Sequence, residues 1–150
     1  MTASTKWGLP RGWETVEFRD IFDRLQYGYT ASAIPNSGGT KMLRITDIQQ
    51  SAVSRERVPG CTIADHVLPQ FLLRDGDFVF ARTGSIEKAC RVRNPPQAVF
   101  ASYLIRGRPS DPLLSDWISY FVESSDYVNQ AVRASAGVGR PNINAKNLGH

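Results

Sequence analysis

The feature that most constrains this chain is an apolar run, Phe78-Val79-Phe80-Ala81, set between the turn residues Asp75-Gly76-Asp77 and the polar stretch Arg82-Thr83-Gly84-Ser85-Ile86-Glu87-Lys88. A short continuous apolar run bounded by turn signals reads as a buried strand. A second apolar segment, Val99-Phe100-Ala101-Ser102-Tyr103-Leu104-Ile105-Arg106, follows a basic stretch. The polar loop is thus expected to stand on a β framework, and the charge gathers there. From Arg82 to Arg108 the bases are Arg82, Lys88, Arg91, Arg93, Arg106 and Arg108 and the one acid is Glu87, a net +5, whereas the whole chain carries +4 and the remainder therefore sums to −1. Concentrated positive charge on loops, with Gly and hydroxyl side chains between the cations, suits contact with phosphates and base edges.

The rest of the chain reads as mixed α and β. Leu9-Pro10-Arg11-Gly12-Trp13 forms a turn that leads Trp13, Val16 and Phe18 into a first strand, and Ile21, Phe22 and Leu25 follow at helix-compatible spacing. Tyr27-Gly28-Tyr29-Thr30 and Ile34 to Thr40 read as an exposed loop. Met42 to Ile48 alternates as a strand, with Leu43 and Ile45 on one side and Arg44 and Thr46 on the other. Gln49 to Gln70 has no clear period, with one short helix expected around Ala64 to Leu68. Leu114, Trp117, Ile118, Phe121, Val128 and Val132 define one apolar face of a helix from about Ser115 to Ser135, with Ser115 or Asp116 as its cap. Asp116, Glu123 and Asp126 against Arg133 make that helix acidic, hence scaffold rather than a phosphate-binding surface. The chain breaks at Gly137-Val138-Gly139-Arg140-Pro141 and closes through Asn142 to Leu148.

With 150 residues, 41% hydrophobic, the chain is expected to form one globular domain that buries roughly 68–70% of its unfolded surface. It contains no apolar stretch of about 18 residues, and Met1 to Lys6 lacks the apolar run of a signal peptide, so a cytoplasmic location without membrane contact is expected. Cys61 and Cys90 are read as free thiols.

Catalytic constellations are missing from the sequence. Asn94-Pro95-Pro96 carries Gln97 where a base-stacking enzyme would need an aromatic, and no Gly-rich strand-to-helix turn accompanies it. None of Lys6, Lys41, Lys88 or Lys146 has an acid two residues before it, as a metal-dependent nuclease would want. Phosphate-loop and nucleophile-elbow patterns are absent, and His66, His150 and the two cysteines lack zinc-type spacing. Asp75 and Asp77 read as a turn entering a strand. No catalytic residue, metal or cofactor is expected.

Six strings then occur in a telling order: Leu9-Pro10-Arg11-Gly12-Trp13, Tyr27-Gly28, Leu43-Arg44-Ile45-Thr46-Asp47-Ile48, Gly76 to Ser85, Ser102-Tyr103-Leu104-Ile105-Arg106 and Gly139-Arg140-Pro141-Asn142-Ile143-Asn144. Through them the chain resembles the target recognition domain of the specificity (S) subunit of Type I restriction-modification systems. The resemblance implies an α+β fold, a single target-recognition domain over residues 1–150 with a small twisted mixed β-sheet, flanking helices and long DNA-facing loops. The family's helical spacer is then absent or cut short after residue 148. It implies a non-catalytic domain that reads one half of a bipartite double-stranded DNA target. The implied partners are a methyltransferase (modification) subunit and, through it, a restriction subunit. A second recognition domain or a homodimer would complete the target, in the service of phage defence.

Base-edge chemistry selects candidates within that frame. Arginine pairs bidentately with guanine, Asn with adenine, and Ser or Thr with several edges. Arg82, Ser85, Asn142 and Asn144 are accordingly the expected base-side residues, and Thr83 and Gly84 belong to the same DNA-binding set, with Gly84 allowing a positive φ or a close phosphate approach. Lys88, Arg91 and Arg93 suit phosphates, and Arg44 and Arg140 complete the expected DNA-binding set. The rival reading is a protein-interaction module that uses Tyr27, Tyr29 and the acidic helix.

Overall fold

The structure, a computed structural model, describes residues 8–35, 38–49, 52–53, 55–135 and 139–150. Its centre is a four-stranded antiparallel sheet in the order β1-β8-β5-β6, built from β1 (Phe22–Tyr27), β5 (Phe78–Ala81), β6 (Ala89–Arg91) and β8 (Leu104–Pro109). Beside it lie a parallel pair, β2 (Lys41–Leu43) with β7 (Ala98–Phe100), and a small antiparallel pair, β3 (Ile48–Gln49) with β4 (Ala52–Val53). Among the described residues, five helices flank the strands: α1 (Phe18–Ile21), α2 (Leu68–Phe71), α3 (Ser115–Val122), α4 (Ser125–Ala134) and α5 (Ala145–Gly149). The expected α+β class is what is seen.

The unbroken apolar character of β5 follows from its place between two cores. Phe78 and Phe80 face α1, α3, α4 and α5 in a cluster with Phe18, Phe22, Ile105, Ile118, Tyr127 and Ile143. Val79 and Ala81 face the other way, toward Leu43, Ile48, Cys90, Phe100 and Leu104. A strand covered on both faces has no position for a polar residue, and burial of each such Phe contributes roughly 1.5–3 kcal/mol. The parallel pair is layered likewise, with Leu43 and Phe100 in this second cluster and Met42 and Val99 in a third with Cys61. Both cysteines are buried free thiols, as expected.

Several expected elements come out differently. Helix precedes strand near the start: Phe18 to Ile21 is helical, and Phe22 to Tyr27 is the strand that pairs with β8. Met42 to Ile48 is not one strand, because the Asp47 carboxylate accepts hydrogen bonds from the Arg44 backbone and guanidinium and winds Ile45–Asp47 into a 3-10 turn. Val99 to Arg106 is divided between β7 and β8 by a turn that closes with Leu104 N–H donating to Ala101. The short helix expected at Ala64–Leu68 is displaced to Leu68–Phe71. The long helix is two. Ser124 breaks it by donating its hydroxyl to the Phe121 carbonyl (2.6 Å) and accepting from the Tyr127 N–H (3.2 Å), which caps α4. The break shifts the phase of the buried face, so Tyr127 and Ala131 enter the core while Val132 is exposed. At the other end, Asp111 caps the 3-10 turn Pro112–Leu114 that leads into α3, in place of Ser115 or Asp116. Asn36, Ser37, Gly137 and Val138 lie outside the described residues.

Candidate nucleic-acid interface

Strand directions gather one end of the sheet. β8 runs antiparallel to both β1 and β5, with Tyr27 opposite Ile105 and Ala81 opposite Leu104. The last residue of β1, the loop that leaves β5 and the turn that enters β8 therefore meet. Arg82 donates its backbone N–H to Tyr103 (3.0 Å), and its guanidinium carbon lies 4.4 Å from the Tyr27 ring centroid.

The Arg82–Lys88 loop joins β5 to β6, and its tip is anchored by Ile86, which is buried in the first core cluster. The Lys88 N–H donates to the Ser85 carbonyl (3.0 Å), and the Lys88 carbonyl accepts from Ala81 (2.9 Å). A remote segment completes the surface. Gly84 N–H donates to Pro141 (3.0 Å), Ile143 N–H donates to Arg82 (2.8 Å), and Thr83 and Asn142 form an antiparallel bridge. Ile143, buried among the core residues, holds this segment down. Gly84 has φ +66°, and a Cβ there would lie 2.9 Å from Nη2 of Arg140, so glycine lets the Arg140 guanidinium cross the loop. Arg82 to Ser85 and Arg140 to Asn142 thus form one surface from two strings far apart in sequence.

Other candidates are engaged elsewhere. Asn144 accepts the Asn147 N–H (2.8 Å) on its side-chain oxygen and caps α5. Arg91 pairs with Asp116 of α3 at 2.8 Å. Arg44 is bound to Asp47 through two side-chain hydrogen bonds, which raise its pKa further above the ordinary arginine value. Arg93 is exposed and Lys88 half-buried; neither forms an ion pair among the described residues.

Two cations counted in the basic stretch are structural. Arg106 is buried, donating to Gln26 Oε1 (2.8 Å) and the Leu72 carbonyl (3.0 Å), and burial with Arg108 nearby pulls its pKa down to about 10. Arg108 is bound to Asp77 by two hydrogen bonds. The accessible charge of the stretch is therefore smaller than its sequence total. Tyr29 also departs from the exposed loop reading, since it is half-buried against Phe71, with ring centroids 5.2 Å apart.

Tyr27 and Tyr103 were not among the expected DNA-binding residues, yet both flank Arg82 and both are exposed. Their signal lay in the strings Tyr27-Gly28 and Ser102-Tyr103, but only the strand order brings them to the basic loop.

No protein-family model matches the chain, and no curated protein matches it. Solved structures do. A chain from a study of complex assembly and conformational transition of the type I R-M system aligns with a TM-score of 0.63 at 16% identity, over 95% of this chain and 37% of the other. The Type I restriction-modification S subunit from M. genitalium aligns at 0.61 and 16% identity, over 95% and 34%. The HsdS subunit from Thermoanaerobacter tengcongensis aligns at 0.62 and 15% identity, over 98% and 38%. This chain spans little more than a third of the length of each. It shares its fold with a portion of Type I restriction-modification S subunits, the family whose recognition-domain motifs it resembles.

Proposed function

We propose that this chain is a sequence-specific double-stranded DNA reader that recognises one half of a bipartite target for a Type I restriction-modification complex. The observation that carries the reading is the joining of Arg82–Ser85 to Arg140–Asn142, which places two guanidiniums and several small polar groups on one surface. Arg82 and Arg140 make no ion pair among the described residues, so both are available to an anionic partner. The shared fold with S subunits supports the same reading. In it, the chain does no chemistry of its own. It directs an N6-adenine methyltransferase subunit and, through that subunit, a restriction subunit, in cytoplasmic defence against phage. Among the described residues no helix is long and apolar enough to cross a membrane.

Titration of labelled duplex across a salt series tests this function. Binding should fall with a log–log salt slope of about −0.9 per phosphate neutralised. Arg82→Ala with Lys88→Ala should weaken binding. Unchanged affinity in that double variant contradicts the proposed face.

A protein-interaction role is the second reading, favoured by one observation. Leu113, Trp117 and Tyr120 are exposed on and beside α3. That surface would serve the chain's place in a complex.

A further inference from the structure

We propose that Arg82 reads a guanine edge rather than a phosphate, and that Tyr27 is the positioning residue that aims it. The inference rests on the DNA-reading function above and names the base class taken by that site.

Arg82 differs in kind from the other well-placed arginines. Arg19, Arg44, Arg91 and Arg108 each face a carboxylate, on Glu17, Asp47, Asp116 and Asp77. Arg82 faces none among the described residues; its guanidinium lies over the Tyr27 ring. A ring attracts a cation without occupying its N–H groups, whereas a carboxylate fork consumes them. The Arg82 Nε is buried and without a hydrogen-bond partner, so the terminal Nη pair is the end left for a ligand. Two parallel N–H groups at a fixed tip match guanine O6 and N7.

Rigidity separates base reading from phosphate binding. Arg82 is held on both sides of its Cα, by its N–H on Tyr103 and by its carbonyl accepting from Ile143. Tyr27 is held as firmly: its backbone is in register with Ile105, and its hydroxyl accepts the Ala145 N–H at 2.9 Å. That hydroxyl bond ties the ring to the start of α5, next to the segment that bridges the loop. A preformed side chain loses little rotamer freedom on binding, and that saving matters where two hydrogen bonds must meet one base at fixed geometry. A phosphate makes no such demand. Lys88, at the end of the same loop and with a flexible stem, is the better phosphate ligand.

The test uses the full chain and the duplex that it enriches from a randomised pool. Each guanine is replaced in turn by 7-deazaguanine, which lacks the N7 acceptor, and binding is titrated across salt for the wild type, Arg82→Ala, Tyr27→Phe and Tyr27→Leu. Thermal melts confirm that each variant is folded. The wild type should lose roughly 5-fold or more in affinity at one particular guanine. Arg82→Ala removes the N–H pair and should abolish that penalty with little change in the salt slope. Tyr27→Phe, which keeps the ring, should retain the penalty, and Tyr27→Leu should lose it. The assignment is overturned if the penalty persists in Arg82→Ala or Tyr27→Leu. It is equally overturned if Arg82→Ala lowers the salt slope by about 0.9 and leaves the penalty intact, the signature of a phosphate contact. A wild type that enriches no duplex, with or without a methyltransferase subunit of the Type I class, fails at the first step and overturns the DNA-reading function itself, a result visible before any variant is compared.

Discussion

Arg108 on β8 donates to both oxygens of Asp77, at 2.7 and 2.9 Å, and the Asp77 carboxylate is fully buried at the entrance to β5. The same carboxylate accepts the Arg74 N–H at 2.8 Å, closing the turn that starts the strand. Those bonds raise the Arg108 pKa further above the ordinary arginine value. One pair therefore fixes both the turn and the neighbouring strand.

Removing one partner strands the other. Arg108→Ala leaves a buried carboxylate without its cation and is expected to lower stability by about 3 kcal/mol in urea denaturation. A loss of less than about 1 kcal/mol would place the pair with ordinary surface bridges.

Gly28 has no room for a side chain, since a Cβ would lie 2.0 Å from the Ala101 carbonyl oxygen. Backbone cannot step aside cheaply while Tyr29 N–H donates to Phe100 at 2.8 Å and Gly28 N–H donates to Leu104 at 3.2 Å. Gly28→Ala should destabilise by about 3 kcal/mol, at the upper end of overpacking effects, read as a drop in melting temperature. Stability close to wild type would refute this close approach.

Two caps should be separable from DNA contact. Ser124→Ala removes the α4 cap and Asn144→Ala the α5 cap, each expected to cost about 1 kcal/mol. Asn144→Asp keeps the capping oxygen and should melt like the wild type. If Asn144→Asp is as unstable as Asn144→Ala in parallel melts, the cap is not what Asn144 provides.

Burial pushes the Cys90 thiol from an ordinary value of 9.0 up to about 12, and the buried Tyr127 hydroxyl moves in the same direction. Between pH 9 and about 12 the unfolded chain releases the Cys90 proton while the folded chain retains it. Stability is therefore full below pH 9 and falls as pH rises, by on the order of 3 kcal/mol from Cys90 at pH 11. Unfolding measured from pH 8 to 11 should show this decline, and at pH 8 the native thiol should resist a labelling reagent that modifies the unfolded chain. A flat profile, or rapid native labelling of Cys90, would contradict it.

Local signals carried the reading where local chemistry decides the outcome. The Phe78–Ala81 strand was legible because a doubly covered strand must be apolar throughout, and the polar loop after it because Arg-Thr-Gly-Ser cannot be buried in that way. The helix after Ser115 was legible in kind but not in its break, because Ser124 bonds its own neighbours in competition with the helix. Arg44 misled for a similar reason: alternation suggested a strand, and Asp47 three residues on captured the chain in a turn. The fates of Arg106 and Arg108 were hidden in distant Gln26 and Asp77, which no local pattern ties to them. Tyr27 beneath Arg82 was hidden likewise, since their meeting depends on sheet order rather than spacing.

The central claim, that this surface reads a DNA sequence, is met most directly by selecting bound duplexes from a randomised pool with the full chain and sequencing them, with and without a methyltransferase subunit of the Type I class. The account predicts enrichment of one short motif, lost in Arg82→Ala. Salt-sensitive binding without any enriched motif, or no binding under either condition, would contradict it.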